Sequence, residues 1–99
     1  MTNPLLKGLR PTHPGEILRE DVLPALGISK SKAASDLRIS RQQLYDILGE
    51  KKPVTPQMAH RIGKLTGTSP ELWAAMQMRY DLATQVPEEL DLIPAREAA

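Results

Sequence analysis

A chain of 99 residues, 40% apolar and 25% charged, has the size and make-up of one soluble domain. It has no cysteine, which excludes a disulfide scaffold, a thiolate metal site and a thiol nucleophile. With no phenylalanine, one tryptophan and two tyrosines, the core has to be aliphatic. The net charge of +1 hides a split. Residues 1–69 carry 11 Lys or Arg against 6 Asp or Glu, and residues 70–99 carry 2 against 6. A basic body with an acidic tail suits a polyanion on one surface. No stretch approaches the roughly 18 apolar residues of a membrane span. Met1 to Arg10 has no signal-peptide core, so the expected setting is the cytoplasm.

Residues 1–12 carry two prolines and a glycine and read as a flexible N-terminal arm. His13-Pro14-Gly15 opens a first helix, because proline is preorganised for the first turn and Glu16 suits the positive helix end. Its apolar residues are Ile17, Leu18, Val22 and Leu26. Pro24 lacks an N–H, so an end or kink is expected near Leu23, with a stop at Gly27. Ser29 caps a second helix, Lys30 to Leu37, with the small pair Ala33-Ala34. Ser40 caps a third over Arg41 to Leu48, closed by Gly49. Thr55-Pro56 opens a fourth with Met58, Ile62 and Leu65 at i, i+4, i+7, ended by Gly67. Ser69-Pro70 starts a fifth that runs to about Ala83.

No strand pattern of useful length occurs, unless Asp91-Leu92-Ile93 extends. The fold class is therefore all-α, five short helices over residues 13–83. An acidic, loosely ordered tail over 84–99 follows, with few apolar anchors.

The informative segment is Ser31 to Lys52. Two short helices flank the turn Arg38-Ile39-Ser40, and Ala34 lets a steeply crossing helix approach. In the third helix Leu44, Ile47 and Leu48 share one face, while Gln42, Tyr45 and Asp46 point away. That is helix-turn-helix geometry, with the later helix laid in the DNA major groove. Arg41 can pair with guanine through two hydrogen bonds, and Gln42 or Gln43 can match adenine. Ser40 and the free amides at the helix starts can hold phosphates. Lys30, Ser31, Lys32, Lys51 and Lys52 flank the unit where the DNA backbone would run.

Residues His13 to Leu82 resemble the HigA-type antitoxins, or VapI group, of the lambda-repressor-like helix-turn-helix superfamily. The carrying motifs are His13-Pro14-Gly15-Glu16-Ile17-Leu18, Ser40-Arg41-Gln42-Gln43-Leu44-Tyr45-Asp46-Ile47 and Gly67-Thr68-Ser69-Pro70-Glu71-Leu72-Trp73. Met78-Arg79-Tyr80-Asp81-Leu82 closes the match. The resemblance implies a five-helix DNA-binding domain, a homodimer and repression of its own operon. It also implies neutralisation of a HigB-type, RelE-like toxin that cuts messenger RNA. Base reading carries over onto Ser40, Arg41, Gln42, Gln43 and Tyr45. One position departs: the usual turn glycine is Arg38 here. Either Arg38 keeps a left-handed backbone, at roughly 1 kcal/mol or more, or the turn differs.

A dimer is also expected from the fifth helix itself. Trp73, Met76, Tyr80 and Ala83 form one stripe, and Ala75, Met78 and Leu82 form a second on nearly the opposite side. The first can face the core; the second wants another surface, either a two-fold partner or the tail folded back. A dimer implies a palindromic operator with half-sites about 10 base pairs apart, or a multiple.

His13 and His60 lie in different elements without carboxylates at metal-ligand spacing, so surface or capping roles are expected and no cofactor is. Ser29 and Ser40 have no base beside them, which fits caps rather than nucleophiles. The chain does not read as an enzyme. A stand-alone repressor and a purely protein-binding helical module remain the alternatives to the antitoxin.

Overall fold

The computed structural model describes residues 11–96, so most of the expected N-terminal arm lies outside it. Among the described residues there are five helices and no strand. Helix α1 runs from Pro14 to Leu26 in three registers: α-helix Pro14–Ile17, π-helix Leu18–Val22 and α-helix Leu23–Leu26. Helices α2 (Lys30–Leu37), α3 (Arg41–Leu48), α4 (Pro56–Thr66) and α5 (Pro70–Thr84) follow.

The caps are those the serines and threonine announce. Ser29, Ser40, Thr55 and Ser69 each accept an N–H from the first turn that follows. Gly27 and Gly67 end α1 and α4 in the left-handed region.

The π-helical stretch answers the problem set by Pro24. A proline ring crowds the carbonyl four residues back and offers no N–H. The Leu23 N–H bonds the Leu18 carbonyl five residues back, which widens the turn just ahead of Pro24. The helix therefore neither ends nor breaks near Leu23 but continues to Leu26. The extra residue shifts the inward face by one position. Leu23 falls beneath Leu18 in the core, and Leu26 is left 41% exposed, against the expectation that it packs inward.

Two further details differ from the sequence reading, though α3 keeps its expected bounds. Helix α3 stops at Gly49, but the left-handed residue is Glu50 (φ 62°) rather than the glycine (φ −84°). The chain makes one more turn first, because the Lys51 and Lys52 N–H groups both bond the Asp46 carbonyl. At the tail, Glu88–Leu92 is a 3₁₀ turn rather than an extended segment. Pro87 holds the dihedral that starts it, and the Leu90 N–H bonds the Pro87 carbonyl at 3.2 Å. Every described residue of that tail is exposed.

The core is a single aliphatic cluster, as the composition requires. Leu18 and Leu23 meet Ala33, Ala34 and Leu37 of α2, the inner face of α3, and Met58, Ala59 and Ile62 of α4. Trp73 anchors α5 beneath them at 2% exposure, its indole N–H donating to Thr68 Oγ1 at 2.7 Å.

Candidate nucleic-acid interface

The pair α2–α3 is built so that one side is locked and the other free. Ala33, Ala34 and Leu37 of α2 and Leu44, Ile47 and Leu48 of α3 are all buried. Arg38 carries the turn between them at φ 60°, ψ 43°. It keeps the left-handed backbone usual for glycine, with the accompanying strain of roughly 1 kcal/mol.

Both helices are pinned at their carboxyl ends by arginines from outside the pair. Arg61 of α4 donates to the Leu37 carbonyl at 2.9 Å, and Arg19 of α1 donates to the Leu48 carbonyl at 2.6 Å. Cations there complement the negative helix ends. The amino terminus of α1 reaches the same region: Gly15 lies so close to the Ile47 carbonyl that no side chain fits between them. The pose of α3 is thus fixed by its buried face and by two contacts from α1.

The outward face of α3 carries the five residues singled out for base contact. Ser40, Arg41, Gln42, Gln43 and Tyr45 are all exposed. Arg41 leans toward α2, its Nη1 3.5 Å from Ser31 Oγ. Lys30 Nζ stands over the Tyr45 ring, 5.9 Å from its centre. Lys51 and Lys52 are exposed just beyond α3. Lys32 is held at 3.0 Å by Asp36 one helical turn on. The structure brings Ser31 and Lys30 of α2 beside Arg41 and Tyr45 of α3; Lys32, Lys51 and Lys52 are exposed on the same helix pair and the loop that follows it.

Three of them have additional work. Ser40 and Gln43 form a reciprocal capping box: Ser40 Oγ accepts the Gln43 N–H at 3.0 Å, and Gln43 Oε1 accepts the Ser40 N–H at 2.9 Å. The Ser-x-x-Gln spacing announces this, but the sequence reading gave Gln43 only to DNA. Gln42 Nε2 donates to Asp46 Oδ1 at 2.8 Å.

The chain matches no protein-family profile. It is 39% identical over 80 residues to virulence-associated protein A' of Dichelobacter nodosus, covering 80% of this chain and 68% of the relative. The antitoxin HigA of Pseudomonas aeruginosa, solved with the higBA promoter, superposes with a TM-score of 0.73. It is 39% identical over 77% of this chain and 83% of its own. The chain belongs to the HigA-type (VapI) antitoxin family. The antitoxin GraA, solved in complex with its operator, spans 100% of this chain and 99% of its own. It has a TM-score of 0.79 at 34% identity.

Elsewhere on this HigA-type chain, the stripe assigned to the dimer is open to solvent. Ala75 is exposed, and Met78 and Leu82 are 59% and 70% exposed. The opposite stripe is corrected in part. Trp73, Met76 and Tyr80 pack inward as expected, but Ala83 is exposed because α5 has run past the core by then.

Gln77 takes an inner position that an apolar pattern could not reveal. Its Oε1 accepts the Val54 N–H at 2.7 Å and its Nε2 donates to Asp81 at 2.9 Å. His13 caps α1, Nδ1 accepting the Gly15 N–H at 2.9 Å, and lies edge-on to Tyr80 with ring centres 4.9 Å apart. The capping expectation is met; the surface one is not, since His13 is only 3% exposed. Burial lowers its pKa, against the opposing pull of Glu50, Asp81 and a backbone hydrogen bond with Lys52.

Proposed function

We propose that this chain is the operator-binding antitoxin of a type II toxin–antitoxin module. As a homodimer it lays α3 of each copy in successive major grooves of a palindromic operator, represses its own operon, and neutralises a HigB-type, RelE-like RNase. The observation that carries the reading is the rigid, cation-rimmed face of α3, supported by relatives solved on promoter and operator DNA. Ser40, Arg41, Gln42, Gln43 and Tyr45 meet base edges, and Lys30, Ser31, Lys32, Lys51 and Lys52 meet phosphates. Residues 13–83 form the DNA-binding and dimerising unit, flanked by segments 1–12 and 84–99. The two-fold partner covers Ala75, Met78 and Leu82, which are otherwise exposed apolar surface. No catalytic role is assigned to any residue, and the protein acts in the cytoplasm.

Much of the toxin contact falls on folded helical surface, the first helix together with the N-terminal arm, because the candidate wrapping segments 1–12 and 86–99 are both short. Deleting residues 86–99 is expected to leave inhibition largely intact. A truncated chain that binds DNA but no longer restrains the toxin refutes that.

The test expresses the adjacent gene alone and together with this chain and follows growth. Arrest by the neighbour, relieved by co-expression, is the expected result. No arrest, with the neighbour shown to be produced, leaves a stand-alone dimeric repressor.

A further inference from the structure

A glutamine amide facing DNA can usually flip, because its oxygen and nitrogen ends have nearly the same shape. On α3 neither amide is free to do so. Gln42 Nε2 lies 2.8 Å from Asp46 Oδ1, and a carboxylate only accepts, so the nitrogen end must face Asp46. Gln43 Oε1 lies 2.9 Å from the Ser40 N–H, and a backbone amide only donates, so the oxygen end must face Ser40. Flipping Gln42 would set oxygen against oxygen; flipping Gln43 would set two donors together.

The neighbouring amides are thereby fixed in opposite senses. Gln42 keeps its carbonyl oxygen wholly free and one N–H occupied. Gln43 keeps its NH₂ wholly free and has one lone pair of its oxygen occupied. Asp46, a half-buried carboxylate beside a surface that must meet phosphates, then has a specific use: it holds the reading orientation of Gln42.

We infer that Asp46 is a specificity-determining positioning residue. It makes Gln42 read the exocyclic amine of adenine or cytosine, while the capping box makes Gln43 read the keto edge of guanine or thymine. In the major groove A and C present a donor at that point, and G and T an acceptor. This inference rests on the operator-binding reading above and adds to it the base class at two successive positions.

The experiment uses the full-length chain and duplexes from its own upstream region. A footprint locates the site, and variants carrying each of the four bases at every half-site position are titrated by fluorescence anisotropy. Gln42→Ala marks the base pair under Gln42 by abolishing discrimination there alone. At that pair the wild type is expected to favour A or C over G or T by about tenfold, the scale of one good base contact. Asp46→Ala should reduce that ratio to within about threefold at that pair only, leaving other positions and the free protein's thermal unfolding unchanged. The charge-conserving swap Gln42→Glu with Asp46→Asn reverses which partner donates and should retain the preference.

A wild-type preference for G or T there overturns the inference. So does a ratio that survives Asp46→Ala, including a uniform rise in affinity from loss of the carboxylate. Gln42→Ala that alters no position overturns it too. Failure of the wild type to prefer any upstream duplex overturns the operator-binding reading itself, and this inference with it.

Discussion

Replacing Gly15 by alanine separates two roles that a glycine can have. A Cβ at Gly15 would collide with the Ile47 carbonyl oxygen and come within 3.1 Å of His13 Nδ1. The obstructing atom is backbone in the last turn of α3, held by the Glu50 N–H and by Arg19 on the adjacent Leu48 carbonyl, so it cannot rotate aside. Relief requires α1 and α3 to part. Forced overpacking costs about 1–3 kcal/mol, and a clash with helical backbone belongs at the upper end. At about 4–8 °C per kcal/mol for a domain of this size, Gly15→Ala should lower Tm by roughly 12 °C or more. Gly27 is the control: its φ is 68° with open space around the site, so Gly27→Ala should cost only the left-handed strain of about 1 kcal/mol. Thermal unfolding followed by circular dichroism reads both. Equal losses, or an unchanged Gly15→Ala, would refute the close approach of α1 to the recognition helix.

Gln77→Leu keeps the volume but strands the Val54 N–H in the core, and should cost about 1–3 kcal/mol by denaturant unfolding; a neutral result would mean that water serves that amide. His13 titrates lower in the folded chain than in the unfolded one. The unfolded state therefore binds the extra proton first, and stability should fall as pH drops below about 6.5 until the folded group also titrates. Asn can cap in its place without titrating, so His13→Asn should flatten the Tm difference between pH 7.5 and 5.5; an unchanged difference assigns the loss to other groups. Arg38→Gly removes the left-handed strain, and also one of the cations lining the cleft beside His60, Arg61 and Lys64. It should raise Tm by a few degrees, on the order of 0.5–1 kcal/mol; a lower Tm would show that the Arg38 side chain holds the turn.

Much of this fold was legible because its helices are punctuated by short polar residues and proline. Ser29, Ser40, Thr55-Pro56 and Ser69-Pro70 start α2 to α5 where the sequence places them, since each cap satisfies orphan amides locally. The inward face of α3 was equally plain from the spacing of Leu44, Ile47 and Leu48. What escaped is tertiary or register-dependent. A π-helical turn follows from how Pro24 is accommodated, so Leu23 and Leu26 exchange roles without a local signal. Arg19 and Arg61 look like ordinary surface cations until the helix ends they cap are folded beside them. Gln77 reads as a surface residue because its partners are a loop amide and one carboxylate. The capping box at Ser40 was visible as a motif, but Gln43 also sits where a base reader should, and only the first of those roles is a local matter.

The central claim, that α3 reads operator DNA, is tested most directly by titrating the chain's upstream duplex across a range of salt with wild type, Arg41→Ala and Lys51→Ala. Wild-type affinity should fall steeply with salt. Arg41→Ala should lose about 1–3 kcal/mol on the operator while folding normally, and Lys51→Ala should weaken binding to every duplex and shallow the salt slope by about one. Wild-type binding that Arg41→Ala leaves intact, or that does not respond to salt, would contradict it.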